Sequence, residues 1–267
     1  MIKAFFGITR EPFNRQASTL LPQQQSMMDM IKVHASQGGF SVIVGEPGVG
    51  KSVLREHIEK LDKEREFVVA SCTRTLHTYT QIIRQLAESF KIEPTEKQLE
   101  KELIQTAFHH ARERKTVFTV IDEAHLLDMS VLKKLRLLFD RFPKNHNLIL
   151  LGQRDLLYFL SMTINRDVKS RITYSQTLLP LNDNDLKCFI VNELAKVKLG
   201  ANCYNEDATE LICRSAQGNL RLCRNLCYAS LLEAVEGKKI VSLTHVNNVL
   251  IQPHWRSHDE LIKQQSH

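Results

Sequence analysis

The stretch Gly45–Ser52 reads GEPGVGKS and fits the spacing G-x-x-x-x-G-K-[ST] of a phosphate-holding loop. Gly45, Gly48 and Gly50 free the backbone, through Glu46, Pro47 and Val49, to curl around an anion. The N-terminus of a following helix adds partial positive charge at Ser52 and Val53. Lys51 is placed to reach the β and γ phosphates of ATP, and the Ser52 hydroxyl is a hard oxygen donor of the kind that ligates Mg2+. Farther along, TVFTVIDEAH (Thr116–His125) sends an apolar run straight into two carboxylates. In one site with the loop, Asp122 would hold Mg2+ through water, and Glu123 would orient and polarise the water that attacks the γ-phosphate. Acidic residues at such a point can also simply cap a helix. The loop upstream is what makes them candidates for ATP hydrolysis.

This chemistry needs strands that end at the loop and at the carboxylates. GFSVIV (Gly39–Val44) is a short apolar run with β-branched residues, read as a buried strand, and SVLREHIEKL after the loop reads as a helix. FVVASC (Phe67–Cys72) reads as a second strand, followed by helical stretches at about 79–90 and 96–114. After Thr116–His125 come an amphipathic helix, MSVLKKLRLLFDRF (Met129–Phe142), and another apolar strand, NLILLGQ (Asn147–Gln153). Gln153 at that strand's tip is either a sensor of the γ-phosphate or an ordinary strand-end amide. A last strand is expected over Thr173–Leu179. Past Pro180 the strand pattern stops, and helices follow at about 182–199, 206–215, 220–234 and 243–251. The fold class is therefore α/β: a three-layer αβα nucleotide-binding domain with a parallel sheet, followed by a small α-helical domain. The expected divisions are an N-terminal segment 1–38, the α/β domain 39–180, the helical domain 181–251 and a mobile polar tail 252–267.

The 267 residues suffice for such a main core and a smaller second one, with 43% hydrophobic and 25% charged residues. No apolar run reaches the roughly 18 residues that span a membrane, and MIKAFFGITREPF lacks the features of a signal peptide, so the expectation is a cytoplasmic protein. The six cysteines form no C-x-x-C pair. Cys223 and Cys227, at i, i+4, could serve a metal or redox site, but buried reduced thiols are the plainer reading. A net charge of +6 permits a nucleic-acid partner and equally fits a solvated surface.

The order of GEPGVGKS, VIDEAH, LLGQ, KSRI and GNLR resembles that of AAA+ ATPases. More narrowly, FFGITREPF, GGFSVIVGEPGVGKS and RITYSQTLLPL look like the ExeA/general-secretion-pathway-A group. The transposition regulators of the TnsC and TniB type, and phage Mu B protein, belong to the same wider set. The resemblance covers nearly all of residues 1–250. It implies that Arg171 of KSRI, or else Arg166, is an arginine finger serving a neighbouring subunit, where the alternative is a surface ion pair. It implies that Arg221 of GNLR is a lid residue touching phosphate in its own subunit, where the alternative is a solvated helix-start arginine. Phe6, Pro12 and Phe13 would fold near the adenine. Gln153 stands where AAA+ proteins often carry Asn, Thr or Ser.

Secretion ATPases of this group carry a membrane segment and a wall-binding domain, and this sequence shows neither, which turns the expectation toward a transposition regulator. Such a protein forms an ATP-dependent ring or filament of identical subunits on duplex DNA, binds it without sequence preference, and recruits or activates a transposase, with no membrane involved. Arg74, Lys133 and Lys134 are the candidate DNA contacts, as cations for phosphates rather than base readers. An ATPase acting on protein partners in secretion or pilus assembly stays open as the alternative. A helicase needs a second RecA-like lobe, for which the helical residues after Pro180 are too few. A module holding ATP as a mere structural ligand would have no need of Glu123.

Overall fold

The computed structural model describes residues 2–14, 19–73, 78–92, 98–235 and 240–255. The elements in chain order are α1 (Ile2–Phe6), α2 (Pro22–Ala35), β1 (Gly39–Gly45), α3 (Lys51–Lys60), β2 (Phe67–Cys72), α4 (Tyr79–Ser89), α5 (Leu99–Arg112), β3 (Thr116–Ile121), α6 (Met129–Phe139), β4 (Asn147–Gly152), α7 (Asp155–Ser161), α8 (Arg166–Lys169), β5 (Tyr174–Leu178), α9 (Asp183–Lys196), α10 (Glu206–Ala216), α11 (Leu220–Ala234) and α12 (Leu243–Leu250). The chain divides into two compact units, residues 20–179 and residues 1–19 with 180–267. The stretch 1–38, read from sequence as one segment, is thus shared between them.

The first unit is built on a five-stranded sheet in the order β2-β3-β4-β1-β5, with every pair parallel. Its central strands read as nearly unbroken apolar runs because both faces are covered. Alternation along β1 splits the core in two. Phe40, Val42 and Val44 pack with Ile82, Leu86, Leu103, Leu132 and Leu135 on the α4–α5–α6 side. Ile43 packs with Met27, Ile31, Leu54, Ile58, Phe118, Val120 and Ile149 on the α2–α3 side. Helix α2 was not expected from the sequence. Pro22 sits at its first position, and Gln24, fully buried, accepts from Leu21 N (3.0 Å) at its start.

The amino ends of the strands are closed by side chains that cross the sheet. Asn147 donates to Ala35 O (3.1 Å), and His146 Nε2 pairs with Thr119 Oγ1 (2.9 Å). The His146 ring stacks on Phe139 and lies against Phe142. Gly38 has φ +75°, and a Cβ there would fall 1.9 Å from Lys144 O, so only glycine fits the turn into β1.

In the second unit α9 to α12 pack around buried Leu186, Ile212, Leu226, Leu231 and Val246. Asparagines start three of these helices: Asn182 accepts from Asp185 N, Asn205 from Ala208 N, and Asn219 from Arg221 N and Leu222 N. All six cysteines are free thiols, and all but Cys188 are buried. Burial pushes the Cys203 thiol up to about 11 and Cys213 up to about 12, so both stay protonated.

Burial lowers the His146 pKa from 6.5 to about 3. The unfolded chain therefore binds a proton between those values that the folded one refuses. The stability contributed is fully present above pH 6.5 and falls, by about 1.4 kcal/mol per pH unit, as pH drops toward 3. His146→Gln, which cannot take the proton, is expected to give a shallower loss of Tm across that window in a pH series of thermal melts.

Candidate nucleotide site

Because all strands run parallel, their carboxyl ends gather at one edge, where the loops after β1, β3 and β4 meet. The loop after β1 is shaped by its glycines: Gly48 has φ +88° and Gly50 φ +111°. A Cβ on Gly45 would come 2.8 Å from Leu178 O on β5, so the loop leaves the sheet with no room for a side chain. Gln24 donates to Gly50 O (3.3 Å) and ties α2 to the loop. Lys51 is buried at the first position of α3, and its Nζ donates to Gly45 O (2.7 Å) and Glu46 O (3.1 Å). The ammonium therefore lies across the loop's own bend, where the phosphates of a nucleotide would face it. Ser52 is exposed on the next residue of the helix, and Val53 is buried beneath it.

Asp122 and Glu123 follow the last residue of β3. Asp122 N donates to Cys72 O (3.0 Å), which extends the β2 ladder by one bond. One carboxylate oxygen of Asp122, Oδ1, accepts from Glu123 N (2.9 Å), and the other, Oδ2, lies 3.3 Å from Arg55 Nε. Burial raises the Asp122 pKa, while the Glu123 amide, Arg55 and Lys51 pull it back. Glu123 adopts φ +53°, a left-handed conformation uncommon for a residue with a side chain and one that gathers at functional sites. The turn presents its carboxylate half-exposed, 3.5 Å from the buried ring of His125. Gly152 at the tip of β4 is what admits this turn: a Cβ would stand 3.2 Å from His125 N. Gln153 comes next, at the same edge. Hard oxygen donors from Ser52 and Asp122 beside a lysine-filled anion loop are a donor set that fits Mg2+ with a triphosphate.

Three side chains at this edge escaped the sequence reading. Arg55 was visible in principle, since Lys51, Arg55 and Glu59 repeat at i, i+4 on one face of α3. His125 and Arg154 carried no signal, and Arg154 Nε reaches Glu46 Oε1 of the loop (3.3 Å) only through the fold.

Arg171 lies elsewhere. Thr173 N donates to Phe40 O (2.9 Å), which fixes the segment at the amino end of β1. Arg171 lines a cavity there with Gly39, Phe40, Arg136 and His146, and pairs with Asp140 (3.4 Å). Seven strand residues, about 20 Å, separate that end from the loop of the same chain, beyond the reach of one side chain. Arg166 is exposed at the start of α8. Lys133 is half-buried on α6, and Lys134 lies over the Tyr79 ring (5.7 Å). Arg74 falls outside the described residues. In the other unit, Arg221 is exposed in the first turn of α11, Pro12 is buried, Phe6 packs edge-on against Phe5, and Phe13 lies 6.3 Å from the rings of Phe189 and Tyr204.

Residues 33–160 match the family described as AAA domain. The match spans 128 of the 267 residues, just under half of the chain. The ExeA-like character extends well past it: the chain is 24% identical to General secretion pathway protein A of Aeromonas hydrophila over 282 aligned residues, 96% of this chain. It spans about half (50%) of that relative's length. The AAA domain with its helical C-terminal part superposes on Cdc6p from Pyrobaculum aerophilum with a TM-score of 0.70 at 20% identity, covering 94% of this chain and 73% of that one. It also superposes on the Aeropyrum pernix ORC1 protein in complex with DNA, with a TM-score of 0.67 at 15% identity and coverage of 88% and 66%. These likenesses establish the P-loop αβα fold, and the match to the AAA-domain family points to nucleotide hydrolysis. Among the described residues no helix is long and apolar enough to cross a membrane.

Lys51→Ala removes the cation from the loop without opening the core beneath Val53. Calorimetric titration with ATP is expected to show binding lost, while the Tm of the ligand-free protein changes little. Unchanged affinity would exclude this loop as the phosphate site.

Proposed function

We propose that the protein is a Mg2+-dependent ATP hydrolase that assembles with ATP into a homo-oligomer on duplex DNA and there regulates or recruits a transposase. In this reading Lys51 and the loop amides hold the β and γ phosphates. Ser52 and Asp122 hold Mg2+, which neutralises charge on the phosphate oxygens. Glu123 takes a proton from the attacking water, and Gln153 faces the γ-phosphate. Arg221 is the lid residue that touches phosphate in its own subunit.

One observation carries the oligomeric part. Arg171 sits at the opposite end of β1 from its own loop, so any service it gives to a phosphate is given to another copy. Its half-exposed pairing with Asp140 suits a side chain that can change partners. The positive net charge, Lys133, Lys134 and Arg74 support the DNA part as backbone contacts, and the DNA-bound state of the Aeropyrum ORC1 protein is consistent with it.

The match to General secretion pathway protein A favours a second reading, an ATPase acting on protein partners in secretion or pilus assembly. ATPase rates measured with and without duplex DNA separate the two: stimulation supports the DNA-bound regulator, and indifference to DNA supports the second.

Glu123→Gln keeps the shape of the side chain and loses the base, so ATP binding should persist while hydrolysis slows by about a hundredfold or more. Single-turnover assays with labelled ATP check this, and wild-type turnover would remove Glu123 from the chemistry. Arg171→Ala should likewise bind ATP normally but lose about a thousandfold in rate. Mixing it with Lys51→Ala should restore part of the activity, since one interface of each mixed pair then holds both groups. A mixture as inactive as its components would count against action between subunits.

A further inference from the structure

Arg55 stands inside the nucleotide site yet has no place in the chemistry above. Its Nε lies 3.3 Å from Asp122 Oδ2, and Nη1 of the same guanidinium lies 3.3 Å from Glu59 Oε1. Glu59 in turn accepts from Ser71 Oγ (2.6 Å) on β2. Arg55 and Asp122 are largely withdrawn from water, with side chains 16% and 9% exposed. The other oxygen of Asp122 is already engaged by Glu123 N. A carboxylate buried this deeply needs a cation, and Arg55 supplies it as an ion pair: its Nε faces Asp122 without a hydrogen bond, while Nη1 donates to Glu59. Asp122 is thus engaged on both oxygens, by an amide hydrogen bond on Oδ1 and by the charge of Arg55 at Oδ2.

We propose that Arg55 is the resident counter-ion of the metal-binding carboxylate: it holds Asp122 in place before magnesium arrives and yields part of that carboxylate once magnesium is bound. This rests on the nucleotide-site reading and makes Arg55 a positioning residue. The physical argument is charge replacement. Without a metal, removing Arg55 leaves Asp122 a buried anion with no guanidinium at Oδ2, near a Glu59 whose side chain is 31% exposed, so the empty site should be destabilised strongly. With Mg2+ and a triphosphate in place, the divalent charge does for Asp122 what the guanidinium did, so the loaded site should be destabilised less. Because the guanidinium and Mg2+ compete for one carboxylate, Arg55 also weakens metal binding in the wild type.

The test is a set of thermal melts of the whole chain, ligand-free, with a non-hydrolysable ATP analogue alone, and with the analogue plus Mg2+. Arg55→Ala is expected to lower the ligand-free Tm by about 5–10 °C, and the rise on adding analogue with Mg2+ should exceed the wild-type rise. Mg2+ affinity in the presence of the analogue, read by calorimetry, should increase several-fold. Arg55→Lys keeps the charge without the fork and should fall between the two; it carries the comparison if the alanine variant does not fold. In an Asp122→Asn background the ligand-free loss from Arg55→Ala should shrink. An equal fall in free and loaded Tm would make Arg55 a brace of the fold alone and overturn the proposal. So would no fall at all, or a loss of affinity for the analogue without Mg2+, which would make Arg55 a phosphate contact. If the wild type itself shows no shift with the analogue and Mg2+, the nucleotide reading falls first. A wild-type shift without the extra gain in the variant sinks this proposal only.

Discussion

In the parallel ladder, Val44 pairs with Gly152 and Phe118 with Asn147, so the tips of β1, β3 and β4 stop at one edge of the sheet. Everything chemical in the first unit depends on that register. The phosphate loop leaves β1, the two acids leave β3 and Gln153 leaves β4, and none of these segments is near the others in sequence. A parallel sheet also demands both of its faces be covered, which is why β1 can be apolar on Val42, Ile43 and Val44 alike and still bury each of them. The small residues at the tips then do steric work. Gly45 lets the loop pass Leu178, and Gly152 lets the turn after Glu123 press against β4. A methyl group at either point would push the lysine and the carboxylates apart.

What was readable in the sequence follows from how local each feature is. The loop, its lysine and the following helix are contiguous, and their chemistry is fixed by residue type. The two acids were readable because an apolar run delivers them. Helix α2 was not readable, because its start is closed by a buried glutamine that also bonds to Gly50, a contact made by the tertiary fold rather than by amphipathic spacing. The location of Arg171 was equally hidden. It depends on Thr173 joining Phe40 across a separation of 133 residues, and nothing in KSRI says which end of the sheet it will occupy.

Two arginine–aspartate pairs in the same unit show how burial decides what a charge can do. Arg55 and Asp122 are withdrawn from water, so parting them leaves an uncompensated charge that costs several kcal/mol unless another cation takes over. Arg171 is 53% exposed, and its pair with Asp140 is worth about 0–1 kcal/mol. Asp140 also lies 3.1 Å from Arg136 Nε, so it keeps a cation when Arg171 leaves. The first pair is suited to hold a site in shape, and the second to let a side chain go.

That contrast bears on why the cation-rich end of the sheet and the phosphate loop are held about 20 Å apart. If one chain carried both, ATP could be bound and cleaved by a lone subunit, and hydrolysis would report nothing about neighbours. In the proposed assembly, with Lys51 at one end of β1 and Arg171 at the other, the two could meet one γ-phosphate only across two chains in contact. On that proposal the γ-phosphate would tie nucleotide and assembly together, and its cleavage would weaken both. The sheet's length, set by seven residues of β1, keeps the exchangeable arginine out of reach of its own chain's loop, so that a role at a phosphate, as proposed, would be toward another copy.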